Sequence, residues 1–217
     1  AVQGEGITGH GVKVAVIDTG IDYMHPDLGG GFGPGFKVEG GFDLVGNFYT
    51  GPGTTPFPNA DPRDCIGHGT HVSGIIAASG HVTGVAPGAT LRAYKVFGAA
   101  GGPAADVILA ALERALQDGN QVVNMSLGNP FQWREYPTGR AADNLVNRGV
   151  VVVASAGNTG EFGLFSMGVP GNARKSIGVA SIENQKVHCR AALVSGGAPV
   201  GYLPLDNAQD PARSGSG

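Results

Sequence analysis

The sequence predicts an α/β protein: three layers, with a mostly parallel sheet covered by helices on both faces. Two observations lead there. Short β-branched apolar runs, Val12 to Ile17 and Val150 to Ala154 the clearest, alternate with segments whose apolar residues recur at helical spacing. That alternation is the mark of βαβ units. In addition, Asp18, Ser126 and Asn158 stand where such runs end, on the side of an open α/β sheet where ligands bind.

The elements follow in order. Residues 1 to 11 are a Gly-rich opening loop. Gly4-Glu5-Gly6-Ile7-Thr8-Gly9 satisfies G-x-G-x-x-G, but it precedes the first strand, so the dinucleotide reading fails on context. Val12 to Ile17, broken only by Lys13, fits a buried parallel strand. Residues 29 to 63 are loop-rich, with one short strand at Gly41 to Val45. A helix runs from near His68 to about Ser79, with Val72, Ile75, Ile76 and Ser79 on one side. Thr90 to Val96 is the next strand, and Pro103 marks a helix start. Val107, Ile108, Ala111, Leu112, Ala115 and Leu116 form its apolar stripe, ended by Gly119. Gln121 to Met125 is a strand leading into Ser126-Leu127-Gly128. Ala141, Ala142, Leu145 and Val146 mark a helix closed by Gly149, and Val150 to Ala154 is the following strand. Ser176 to Ile182 is a further short strand. Past about Gln185 the pattern weakens. Residues 1–185 are therefore taken as the domain, and 186–217 as a connecting segment or end.

Composition removes several classes of function. Hydrophobic residues make up 41% and charged ones 14%, too apolar for a disordered chain. A net charge of -3 offers no basic field for nucleic acid, and no run of about 18 apolar residues offers a membrane span. The 217 residues suffice for one domain with a sizeable core. The 39 glycines lack a triplet period and read as tight turns and close backbone approaches. Two cysteines, Cys65 and Cys189, leave one bridge or two free thiols open.

The chemistry centres on Asp64-Cys65-Ile66-Gly67-His68-Gly69-Thr70-His71. Glycines beside His68 keep bulk from the ring, and imidazole is the side chain that moves protons near neutral pH. A strand-end carboxylate such as Asp18 can fix its tautomer and stabilise the imidazolium. Asn158, after a glycine past another strand, can donate to an oxyanion. His71 lies three residues from His68, but no third ligand type is near, so it is read as structural and no metal site is assigned. Cys65 is read as a packing or bridge residue rather than a nucleophile. Asp22, Asp27 and Asp61 could offer oxygens to structural calcium, with solvated loop carboxylates the favoured reading.

Together these stretches resemble the subtilisin-like serine proteases, the subtilases. Val16-Ile17-Asp18-Thr19-Gly20-Ile21 with His25-Pro26-Asp27-Leu28 resembles the family's aspartate motif. Gly67 to Gly74 resembles its histidine motif, and Gly84-Val85-Ala86-Pro87 the segment after it. Val123 to Gly128 is similar to the cleft-lining strand, and Ala154 to Asn158 to the oxyanion motif. The match runs from about Gly11 to Ile182 in the family's order. It implies a subtilisin-like sheet of about seven strands, incomplete at the C-terminus. By the same resemblance Asp18 orients the base, His68 is general base and acid, and Asn158 is the oxyanion donor. Ser126, Leu127 and Gly128 would pair with substrate backbone and wall the specificity pocket. The resemblance further implies protein or peptide substrates, no cofactor for the chemistry, and secretion. The Gly-rich loop 29–40, Phe97-Gly98 and Ala192 to Leu205 are most similar to larger secreted subtilases carrying an inserted protease-associated domain.

One departure matters. No Gly-Thr-Ser-Met-Ala type nucleophile segment is present. Ser166-Met167-Gly168 falls where the family has a loop, and Ser195, Ser214 and Ser216 lack a following helix pattern. The expectation is the N-terminal part of a serine endopeptidase, ending before its nucleophile and partnered by the rest of the same protease. The alternatives are a non-catalytic binding or inhibitory protein on this scaffold, or one half of a complementing pair.

Overall fold

In the computed structural model, residues 2–181, 190–192 and 200–202 are described. Six strands form one sheet in the order β2-β3-β1-β4-β5-β6. They are β1 (Lys13–Asp18), β2 (Val38–Asp43), β3 (Thr90–Lys95), β4 (Val122–Met125), β5 (Val151–Ser155) and β6 (Ile177–Val179). Every pairing among them is parallel. The crossovers carry α1 (His68–Ala77) between β2 and β3, α2 (Ala105–Gln117) between β3 and β4, and α3 (Pro137–Asn147) between β4 and β5. Residues through Ala180 form one compact unit. Beyond it, β7 (Arg190–Ala192) pairs antiparallel with β8 (Val200–Tyr202). Cys189, Ser195, Ser214, Ser216, Ile182 and most of 186–217 lie outside the described residues.

The two-residue period of a strand splits the core into two layers. On one face Ala15 and Ile17 join Val107, Ile108, Ala111 and Leu112 of α2 and Ala142 and Leu145 of α3. On the other, Val14 and Val16 join Leu91, Ala93 and Ala77 of α1. The α1 layer covers only part of its face: over β5 and β6 the side chains of Val151, Ile177 and Val179 are exposed. Beside them an apolar hollow of ≈ 320 Å³ is lined by Ile75, Ile76, Val122 and Val153.

Two elements depart from expectation. The second strand is Val38–Asp43 rather than Gly41 to Val45. Asp43 ends it, because its Oδ1 accepts the N–H groups of Val45 (2.9 Å) and Gly46 (2.7 Å) and turns the chain. The fully buried side of α1 is Gly69, Ser73 and Ala77; of the expected Val72–Ile75–Ile76–Ser79 side, Val72 and Ile76 are half-buried and pack against the second core layer, while Ile75 and Ser79 are exposed. Close approach decides this. A Cβ at Gly69 would lie 2.1 Å from the carbonyl oxygen of Gly20 and 3.1 Å from the Asp18 Cβ.

Candidate active site

Strand β1 ends on Asp18, whose side chain is fully buried. Its Oδ1 accepts the backbone N–H of Thr19 (2.7 Å) and faces Nδ1 of His68 at 2.7 Å. A carboxylate only accepts, so Nδ1 carries the proton and Nε2 is left as a lone-pair base. The imidazole is half exposed while its carboxylate partner is sealed from water. Burial pushes the Asp18 carboxyl above its ordinary value, against the lowering effect of the His68 and Thr19 hydrogen bonds. The Thr19 hydroxyl accepts the Gly69 N–H (2.8 Å), stitching the strand end to the first turn of α1.

The loop ahead of His68 is shaped by a residue to which the sequence assigned no role. Asp64 Oδ1 accepts from Ile66 N and Gly67 N, both at 2.9 Å, and Oδ2 from Thr70 N (2.9 Å) and the Thr70 hydroxyl (2.6 Å). These bonds fold the backbone into the left-handed Gly67 (φ 103°) that caps α1 and starts the helix at His68. Burial alone would raise the Asp64 carboxyl, but its four donors outweigh that and hold it below the ordinary 3.8. A group with a depressed folded-state pKa stabilises the fold above its unfolded value and loses that contribution as pH falls through the folded one. Asp64→Ala is therefore expected to cost about 1–2 kcal/mol at neutral pH, and progressively less below about pH 4. Denaturant unfolding at pH 7 and pH 3 measures both.

A second unforeseen residue is Lys95, the last of β3 and wholly buried. Its Nζ donates to Asn47 Oδ1 and to the Arg63 carbonyl (2.9 Å), and lies 3.4 Å from Cys65 Sγ and 3.9 Å from Asp43 Oδ2. Cys65 is exposed and free among the described residues. The sequence offers only a lysine at the end of β3, a strand that also carries Thr90 and Arg92.

The remaining assigned residues gather around another feature of the same edge. Ser126, Leu127, Gly128 and Asn158 all line one cavity of ≈ 340 Å³, with Ser155, Ala156, Gly157 and Val169. Asn129 N–H donates to the Val169 carbonyl (3.1 Å) and the Ser155 hydroxyl to that of Leu127 (3.4 Å), holding the walls together. Asn158 is exposed and follows Gly157 at φ 99°. It lies three residues past β5, not at its end. His68 is not among the lining residues. The pair and the cavity share an edge because β1, β4 and β5 are neighbours running the same way.

Other candidates fall elsewhere. Ser166 is buried in a loop. His71 is exposed on α1 and lines a groove with His25. Asp27 accepts from His81 N (2.9 Å) and Val82 N (3.1 Å), Asp61 from Tyr23 Oη and Arg63 N, and Asp22 pairs with Arg63. Among the described residues no cluster of three His, Cys, Asp or Glu side chains could hold a metal ion.

A parallel sheet with a buried aspartate bound to a helix-opening histidine, beside a cleft rimmed by Ser-Leu-Gly and an asparagine, defines the subtilase class. The chain belongs to that family: the subtilase family model matches residues 9–214. It is 45% identical over 179 residues to the minor extracellular protease Vpr of Bacillus subtilis, covering 82% of this chain and 21% of that protein. To subtilisin E of the same organism it is 38% identical over 207 residues, covering 94% and 49%. To subtilisin Savinase of Lederbergia lenta the identity is 42% over 163 residues, covering 74% and 52%. The chain thus spans about half, or less, of the length of these relatives.

Proposed function

We propose that these residues form the acid–base and oxyanion part of an extracellular serine endopeptidase. The observation that carries this reading is the 2.7 Å bond between sealed Asp18 and half-exposed His68. Its consequence is a base, Nε2, directed away from the carboxylate. A serine hydroxyl placed against Nε2 gives up its proton as its oxygen attacks the substrate carbonyl. The imidazolium so formed is stabilised by Asp18 and returns the proton to the leaving amine. Asn158 donates to the oxyanion, and Ser126 to Gly128 guide the peptide backbone. The cavity lining carries no charged side chain, which suits an uncharged substrate residue.

The serine comes from a helix outside this sequence, seated on the open apolar face at Ile75, Val122, Val153 and Ile177. Side chains alone run the chemistry, and structural calcium has no part in it. Protein substrates and an extracellular site are supported by the relatives' names, protease and extracellular protease.

The test is fluorophosphonate labelling of the protein that carries this sequence together with its nucleophile segment. Labelling that depends on His68 is expected. Stoichiometric labelling within residues 1–217 would overturn the placement of the serine, and absence of labelling and of turnover would favour the binding-protein alternative. In the same protein Asn158→Ala is expected to lower kcat by about 10²–10³-fold, with KM little changed, because the oxyanion exists only after attack. Steady-state kinetics on a peptide substrate reads that split.

A further inference from the structure

Lys95 faces a sulfur, and the acid–base and oxyanion machinery uses neither group. Lys95 is wholly buried at the end of β3, so its side chain cannot swing out to water. Its Nζ lies 3.4 Å from Sγ of Cys65, 30 residues earlier in the chain. Cys65 is exposed, and free among the described residues. It lines a polar cavity of ≈ 180 Å³ with Asn47, Asn59, Asp61 and Arg63. A small polar oxidant can reach the sulfur from that side, while the nitrogen behind it is sealed by the fold.

The hydrogen bonds of Lys95 direct its chemistry. An ammonium carries three N–H donors. Two directions at Nζ are taken by Asn47 Oδ1 and by the Arg63 carbonyl, the latter at 2.9 Å. The third runs to Sγ. When the ammonium gives up a proton, both oxygens still require donors, so the two remaining N–H groups stay on them. The lone pair then takes the third direction and points at the sulfur. The Asp43 carboxylate stands 3.9 Å from Nζ, beside the group that loses this proton. A lysine in water lacks such aim, because its amine rotates freely.

We propose that Cys65 and Lys95 form an oxidative cross-link, a sulfur–nitrogen bond made when a peroxide reaches the thiol. The sulfur attacks one peroxide oxygen, the O–O bond breaks, and the departing hydroxide takes the thiol proton. Water and the Cys65 sulfenic acid result. The Nζ lone pair then attacks the sulfenic sulfur. An S–N bond forms, the S–O bond breaks, and hydroxide leaves as water with one amine proton. The sulfur is oxidised by two electrons and the peroxide is reduced by two. A dithiol reverses the bond by attacking the sulfur and releasing the amine. The cross-link closes the segment from Cys65 to Lys95, which carries His68 and all of α1, into a covalent loop. A loop of that span restricts the unfolded chain and so stabilises the fold.

The test treats the protein with hydrogen peroxide, digests it with trypsin without reductant, and maps the peptides by mass. Untreated protein offers cuts after Arg63, Arg92 and Lys95. After treatment the cut after Lys95 should be lost, and peptide 64–92 should appear joined to peptide 93–114, at their summed mass less two hydrogens. Dithiothreitol should separate them and restore the cut. The guanidinium midpoint should rise on treatment and fall back with dithiothreitol. Cys65→Ser should show neither change. In Lys95→Met the sulfenic acid meets no amine, so its labelling by dimedone should persist instead of fading; if that variant does not fold, the maps of the parent and of Cys65→Ser decide the matter without it. A disulfide to Cys189, or a sulfinic acid at Cys65 with the Lys95 cut intact, overturns the proposal. A cross-link that leaves the midpoint unmoved overturns its stabilising role. Neither readout uses turnover, so the outcome is independent of the endopeptidase reading.

Discussion

An Asp18→Asn variant of the protein, bearing its nucleophile segment, is expected to hydrolyse peptides about 10⁴-fold more slowly at neutral pH while remaining folded. The carboxylate only accepts, and so fixes the proton on His68 Nδ1. An amide in its place can present its NH2 to the same nitrogen and shift the proton to Nε2, where it blocks the base. The loss should lie in kcat, since no substrate binds to Asp18.

Stability should move the other way. Burial raises the Asp18 pKa above the ordinary 3.8, so this group's favourable contribution is complete below its unfolded pKa and is lost as pH rises through the folded one. The ionised carboxylate is thus less favourable in the fold than in the unfolded chain, and a neutral isostere removes that cost. The variant should melt at the same temperature as the parent or higher. A melting temperature clearly lower at pH 7, with the activity loss, would mean that Asp18 holds the fold and does not merely orient the base.

Lys95→Ala is expected to destabilise the domain by about 3–5 kcal/mol, the usual result of removing one partner from a buried charged network. The lysine is wholly buried, and its loss strands the Asn47 amide oxygen and the Arg63 carbonyl and leaves Asp43 without its nearby cation. Asp43 keeps its bonds to Val45 N, Gly46 N and Asn59, so its own turn should survive. The damage should centre on Asp61 to Cys65, ahead of the His68 turn. Lys95→Met keeps the volume and separates packing from polarity: it should recover only a minor part of the loss. Guanidinium midpoints for both variants measure this. A Met variant as stable as the parent would show that the network adds nothing beyond filling space.

What could be read from the sequence was what is local. The turn after β1, the glycines around His68 and the Gly-Asn step after β5 each occupy a few consecutive residues, so a linear pattern carries them. Helical and strand periods likewise placed α2 and β5, since a burial pattern repeats within one element. Hidden features depend on partners far along the chain. Lys95 is explained only by Asn47 and Arg63, and the fit of Gly69 only by Gly20 and Asp18. Periodicity centres the inner side of α1 on its largest apolar residues, of which Val72 and Ile76 do pack against the core, but it misses the fully buried line of Gly69, Ser73 and Ala77, where the end of β1 leaves no room for a Cβ at Gly69. Asp64 carries no distinctive signal in the sequence, since a carboxylate before a helix is common. Its four donors, among them the Thr70 hydroxyl, appear only once the loop is folded.

The hydrogen-bonded pair hangs on the β1 end and α1, while the cleft is framed by the segments that leave β4 and β5. Those two parts of the chain are joined through the β1–β4 and β4–β5 ladders, yet His68 lines no part of the cleft. Substitutions in the loops at 128–136 and 156–169 can therefore reshape the cleft without touching the Asp18–His68 bond.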